Sequence, residues 1–139
     1  MKMPISEIID RYTITLLKSE RTSEDVQQEM DAYRQEIDKY DSAAQFVDKL
    51  KEVNGKIWDL EAEGGREDTE KPSKQVLLKM GEIAIAVRYW NRVRNGIKAQ
   101  IVEEYAEGFK EIKTNYTKTD YGWKPSSIQK FGKTNHYGN

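Results

Sequence analysis

The sequence predicts an all-α fold: an antiparallel helical hairpin packed with an N-terminal helix and one long helix, followed by an irregular aromatic C-terminal tail. Two observations carry this. Apolar residues alternate at three- and four-residue spacings over long segments, and the chain's three prolines, Pro4, Pro72 and Pro125, fall where that pattern starts or stops.

The first helix is expected near residues 4–20. Pro4 suits a first turn, and Ile5, Ile8, Ile9, Tyr12, Leu16 and Leu17 follow at helical spacing. The run Tyr12-Thr13-Ile14-Thr15 has poor intrinsic helix propensity, so packing must hold this helix. In RTSED, Thr22 or Ser23 is placed to cap a second helix near 23–40, with Glu24 and Asp25 complementing its dipole. Its seam is Val26, Met30, Tyr33, Ile37 and Tyr40, spaced four, three, four, three.

After Asp41-Ser42, Ser42 and Gln45 offer a capping box for a third helix near 43–62. Its seam is Ala43, Phe46, Leu50, Val53, Ile57 and Leu60, and the short break predicts that residues 23–63 fold back as an antiparallel hairpin, one seam facing the other. AEGGREDTEKP, from Ala62 to Pro72, has no periodicity and reads as a loop. A long fourth helix near 73–106 is predicted by Val76, Met80, Ile83, Val87 and Trp90, continued through Ile97 and Ile101. Gly96 inside it marks a kink or a close helix contact.

Two regions result: a helical bundle over 1–113 and an irregular tail over 114–139. The tail carries Lys118, Lys124, Lys130 and Lys133 against Asp120 and five aromatics, Tyr116, Tyr121, Trp123, Phe131 and Tyr137. Aromatics at this density are unusual for a segment that stays unfolded, so the tail is expected to dock on the acidic body or a neighbouring copy.

Composition narrows the function. At 139 residues, 34% charged and a net charge of -1, the chain has no global field to draw in nucleic acid. With no cysteine it has no disulfide, thiolate metal site or cysteine nucleophile. The N-terminal MKMPISEIIDRY meets acids before any signal-like apolar run, and no stretch of about 18 apolar residues occurs. A cytoplasmic protein without a membrane segment is expected.

Three polar constellations stand out. Arg88, Asn91, Arg92 and Asn95 fall at i, i+3, i+4 and i+7, with Lys98 beyond, so a cationic amide face lies beside Tyr89 and Trp90. Guanidinium forks hold phosphate bidentately, so this face suits a nucleotide or another small anion; alternatively its arginines pair with Asp59, Glu61 and Glu63 of the neighbouring helix. Asn54 and Trp58 set an amide beside an indole, suiting either a ligand or the fixing of helix register. Glu103, Glu104 and Glu107 share about one helical turn, as in magnesium-dependent nucleotide pyrophosphohydrolases, but no second acidic pair follows downstream. His136 sits in the tail where nothing orients it, and no phosphate loop, serine elbow or zinc spacing occurs. No catalytic residue, metal or cofactor is expected.

The segments PISEIIDRYTITLLKSER, KLKEVNGKIWDLEAE and GEIAIAVRYWNRVRNGIKAQIVEEYAEGFKEIK resemble small helical accessory proteins encoded by tailed bacteriophages, particularly those of marine cyanobacteria. The resemblance spans about residues 4–113 and carries no assigned activity. It implies an accessory protein made in the host cytoplasm and transfers no catalytic residue. Together these readings predict a non-enzymatic homo-oligomer, most simply a dimer, that sequesters a small anionic host ligand through Arg88, Asn91, Arg92, Asn95, Lys98, Trp58 and Asn54. The alternatives are a protein that binds a host or virion protein, and a metal-dependent nucleotide hydrolase.

Overall fold

The computed structural model describes residues 3–105, which form four helices and, among the described residues, no strand: α1 Ile5–Arg21, α2 Gln27–Ile37, α3 Ala44–Gly65 and α4 Lys74–Glu104. The all-α class and the four helices stand as the periodicity predicts. The predicted tail over 114–139 lies outside the described residues.

Helix α1 is the axis of the bundle and packs on all three other helices. Two stripes of its surface are buried. Ile5, Ile9 and Tyr12 form an apolar one; Ser6, Asp10, Thr13 and Leu17 form a second that is largely polar. The weak-propensity threonines are accommodated because their hydroxyls donate back along the helix, Thr13 to the Asp10 carbonyl at 2.7 Å and Thr15 to that of Arg11 at 2.9 Å. Lys18 and Arg21 in the last turn complement the helix dipole.

The second helix starts later than the cap signals suggest. The Thr22 hydroxyl donates to the Lys18 carbonyl at 2.7 Å and so closes α1, while the Asp25 carboxylate accepts from the Gln27 amide at 3.2 Å and opens α2. Helix α2 runs back along α1, with Thr15 bonded to Glu29 at 3.2 Å and Arg34 donating to the Tyr12 hydroxyl at 3.2 Å.

The expected hairpin partners need correction. Helices α2 and α3 do not pack on each other; α2 lies on α1 alone, whereas α3 packs on α1 and α4. A short break makes two helices neighbours in sequence, but each amphipathic stripe is buried on whichever complementary surface is nearest, and α1 offers two, one apolar and one largely polar. Nor does the capping box form: Ser42 adopts a left-handed backbone with φ 62°, and α3 opens at Ala43 without a side-chain cap. Such a backbone turns the chain sharply out of α2 and aims α3 elsewhere.

Helices α3 and α4 are antiparallel neighbours, joined by residues 66–73. Gly64 and Gly65, expected in the loop, belong to the last turn of α3, where Gly64 is buried against the Met80 side chain. Lys79 bridges Glu63 and Glu67, each at 2.8 Å, and Ser73 caps α4 by accepting from the Val76 amide at 3.1 Å. Helix α4 runs unbroken through the buried Gly96, for about 46 Å over its 31 residues. At its far end Tyr105 packs edge-on to Tyr40 at 5.0 Å and donates to the Asp41 carbonyl at 2.7 Å, tying α4 to the turn between α2 and α3.

Candidate functional site

Two places hold chemistry that the packing of apolar side chains does not use: a closed polar cluster at the centre of the bundle, and the outer face of α4.

The cluster is built where α1, α3 and α4 meet. Asp10, with its side chain 1% exposed, accepts from Arg94 Nε at 2.9 Å on one oxygen and from Arg94 Nη2 on the other. Asn54 of α3 donates through Nδ2 to Asp10 at 2.9 Å and to the Thr13 hydroxyl at 2.8 Å. One turn beyond Arg94, Lys98 donates to Glu7 at 2.8 Å and stands 3.8 Å from Asp10. Below, the buried Lys56 ammonium lies 5.8 Å from the centroid of the buried Trp90 ring, a cation–π arrangement.

The charges of this cluster answer one another. Burial pushes the Asp10 carboxyl up, but the hydrogen bonds from Arg94 and Asn54 and the charges of Arg94 and Lys98 reverse this and hold it below its ordinary value of 3.8. Asp10 raises the guanidinium of Arg94 in turn. A carboxylate held ionised by a forked guanidinium and an amide is a weaker base than a free one, and its hydrogen bonds fix three helices against one another.

The residues that the sequence marks as ligand contacts are therefore divided. Asn54 and Lys98 belong to the closed cluster, which favours the register-fixing reading of Asn54. Trp58 is half-buried with the Arg21 guanidinium 5.8 Å from its ring centroid, and Arg21 also donates to Asp59 at 2.7 Å. Arg88 is exposed, while Asn91, Arg92 and Asn95 are half-buried along the same side of α4. Of the three acids proposed as partners of these arginines, Asp59 is committed to Arg21 and Glu63 to Arg66 and Lys79, whereas Glu61 lines the same groove as Arg88.

Sequence reasoning missed Asp10, Thr13 and Arg94. Arg94 had a signal. The seam through Val87, Trp90, Ile97 and Ile101 steps four and three only if position 94 belongs to it, so a guanidinium occupies a core position. Asp10 lies three residues before Thr13 and seven before Leu17, a second stripe that reads as surface until the helix is known to be central.

The outer face of α4 is open. Leu77, Leu78 and Ile85 are 58%, 65% and 46% exposed, with exposed Gly81 and Ala84 between them. A largely apolar groove of about 440 Å³ lies alongside, between α3 and α4, lined by Leu60, Gly64, Met80, Ile83 and Val87 and edged by Glu61 and Arg88. The face thus passes from an apolar half into the cationic amide half at Arg88, Asn91, Arg92 and Asn95. A second groove of about 580 Å³ follows α1 and α3 past Arg21, Lys51 and Asp59, whose charges pair across it, Lys51 with Glu20 and Arg21 with Asp59.

Among the described residues no group of three or more histidine, cysteine, aspartate or glutamate side chains is placed to hold a metal ion; Glu107, the third carboxylate of the magnesium-type turn, lies outside them. No described helix is long and apolar enough to cross a membrane. No family model matches the chain, and neither a curated protein nor a solved structure is significantly similar to it.

Proposed function

We propose that this chain is a non-enzymatic helical binding protein whose working surface is the outer face of α4 and whose partner is another protein. One observation carries the reading: every large hydrophobic side chain that is exposed among the described residues, Leu77, Leu78 and Ile85, lies on α4, directly before the face of Arg88, Asn91, Arg92 and Asn95. Apolar residues grouped on one rigid helix and continued by polar ones are the make-up of a recognition surface.

This reading takes precedence over small-anion capture because two of the expected ligand contacts, Lys98 and Asn54, have partners inside the bundle. Trp58 lies on α3 beside Arg21, and the other four follow one side of α4 rather than surrounding a cavity, whereas nucleotide sites surround most of their ligand. The bacteriophage resemblance supports an accessory protein acting in the host cytoplasm, where such a surface engages a host or virion protein. Thermal melts against nucleotides and inorganic phosphate separate the two readings. We expect no shift; a rise of several degrees that R88A/R92A abolishes contradicts the proposal and restores anion capture.

A further inference from the structure

The outer face of α4 carries charge as well as apolar surface, and the charge bears on what can cover it. Between Lys74 and Lys98 the helix holds six cations, Lys74, Lys79, Arg88, Arg92, Arg94 and Lys98, against a single carboxylate, Glu82. Lys79, Arg94 and Lys98 are neutralised within the bundle by Glu63 and Glu67, by Asp10 and by Glu7. Lys74 and Arg88 are exposed and make no ion pair among the described residues. They stand at the two ends of the apolar stripe, about 21 Å apart at the standard helical rise.

A second copy of the chain matches the apolar part of this face but not the charged part. Antiparallel pairing of two α4 helices about Gly81, where a Cβ meets nothing within 4 Å, sets Leu77 opposite Ile85. It also sets Lys74 opposite Arg88, once at each end. Parallel pairing stacks Arg88 on Arg88. Like charges set against each other at the margins of an apolar contact disfavour that pairing and select a partner of opposite sign.

Building on the proposed function, we infer that the partner is an acidic amphipathic helix, whose apolar side covers Leu77, Leu78 and Ile85 and whose carboxylates, about four helical turns apart, meet Lys74 and Arg88. Gly81 and Ala84 lack bulk at the middle of the stripe and let the partner's backbone approach closely. The groove beside them, between α3 and α4, receives the partner's larger side chains.

A labelled amphipathic peptide of about 18 residues, with leucines at helical spacing and glutamates about 14 positions apart, provides the test by fluorescence anisotropy with the full chain. A second peptide carries lysines in place of the glutamates. The inference predicts saturable binding of the glutamate peptide, at least about tenfold weaker binding of the lysine peptide, and a reversed preference in K74E/R88E. L77E/I85E, with an unchanged circular dichroism spectrum, must lose both. If both peptides bind equally and L77E/I85E loses both, the face is a binding surface but the acidic partner is overturned. The acidic partner is likewise overturned if light scattering finds the wild type at twice the monomer mass and L77E/I85E at the monomer mass, which assigns the face to a second copy. A monomer that binds neither peptide overturns both the inference and the proposed function.

Discussion

Arg94 of α4 grips Asp10 of α1 with both arms of its fork, Nε to one carboxylate oxygen at 2.9 Å and Nη2 to the other, at the centre of the bundle. Asn54 of α3 donates to the same carboxylate, so one buried side chain is shared by three helices. Removing Asp10 takes an acceptor from the partly buried Arg94 guanidinium and from the buried Asn54 amide, which keeps only Thr13. D10A should therefore cost about 3–5 kcal/mol by urea denaturation. The double variant D10A/R94A should cost less than the sum of the two single changes, and strict additivity would show that the pair is not coupled.

The same carboxylate sets an acid limit on stability. Its folded value lies below the ordinary 3.8, so the unfolded chain takes up a proton before the folded one does. The contribution is therefore complete above the unfolded value and is lost as pH falls through the folded value. Melting temperature should fall as pH drops below about 4, and D10N, less stable at neutral pH, should fall less steeply over that range. Parallel pH profiles for the two proteins would show that Asp10 does not set the acid limit.

Core and seam positions should respond in proportion to burial. Leu50 is fully buried, whereas Ile57, on the same predicted seam, is partly exposed. L50D should destabilise by several kcal/mol and I57D by clearly less, read from denaturant midpoints at constant m-value. The opposite order would place the α3 core on another face.

Gly81 is exposed in the middle of α4 with open space around its missing side chain. G81A should stabilise the chain by about 1 kcal/mol, the helix-propensity difference, seen as a higher melting temperature. A lower one would show that the backbone there requires glycine.

Much of this architecture was legible in the sequence because periodicity reports which side of a helix is buried. It does not report which neighbour buries it. The seams of α2 and α3 were both visible, yet their pairing with each other was not the one adopted, since the choice depended on α1 having two buried stripes. Asp10 and Thr13 escaped for the same reason: on a helix with one buried stripe they would be surface residues. Arg94 was readable as an interruption in an otherwise apolar seam. The exposed face of α4 had a signal that went unused: Leu77, Leu78 and Ile85 fall off the seam of Val76, Met80, Ile83 and Val87, and apolar residues off a helix's seam lie on a face that the seam itself does not bury.

Absence of cysteine from the whole chain allows binding of a protein partner at the outer face of α4 to be measured at single positions. Single cysteines placed as I85C on that face and K49C on exposed surface of α3 can be alkylated with and without the glutamate peptide. The peptide should slow alkylation at position 85 several-fold and leave position 49 unchanged. Slowing at position 49 with none at position 85 would place the binding surface away from α4 and contradict the proposed function.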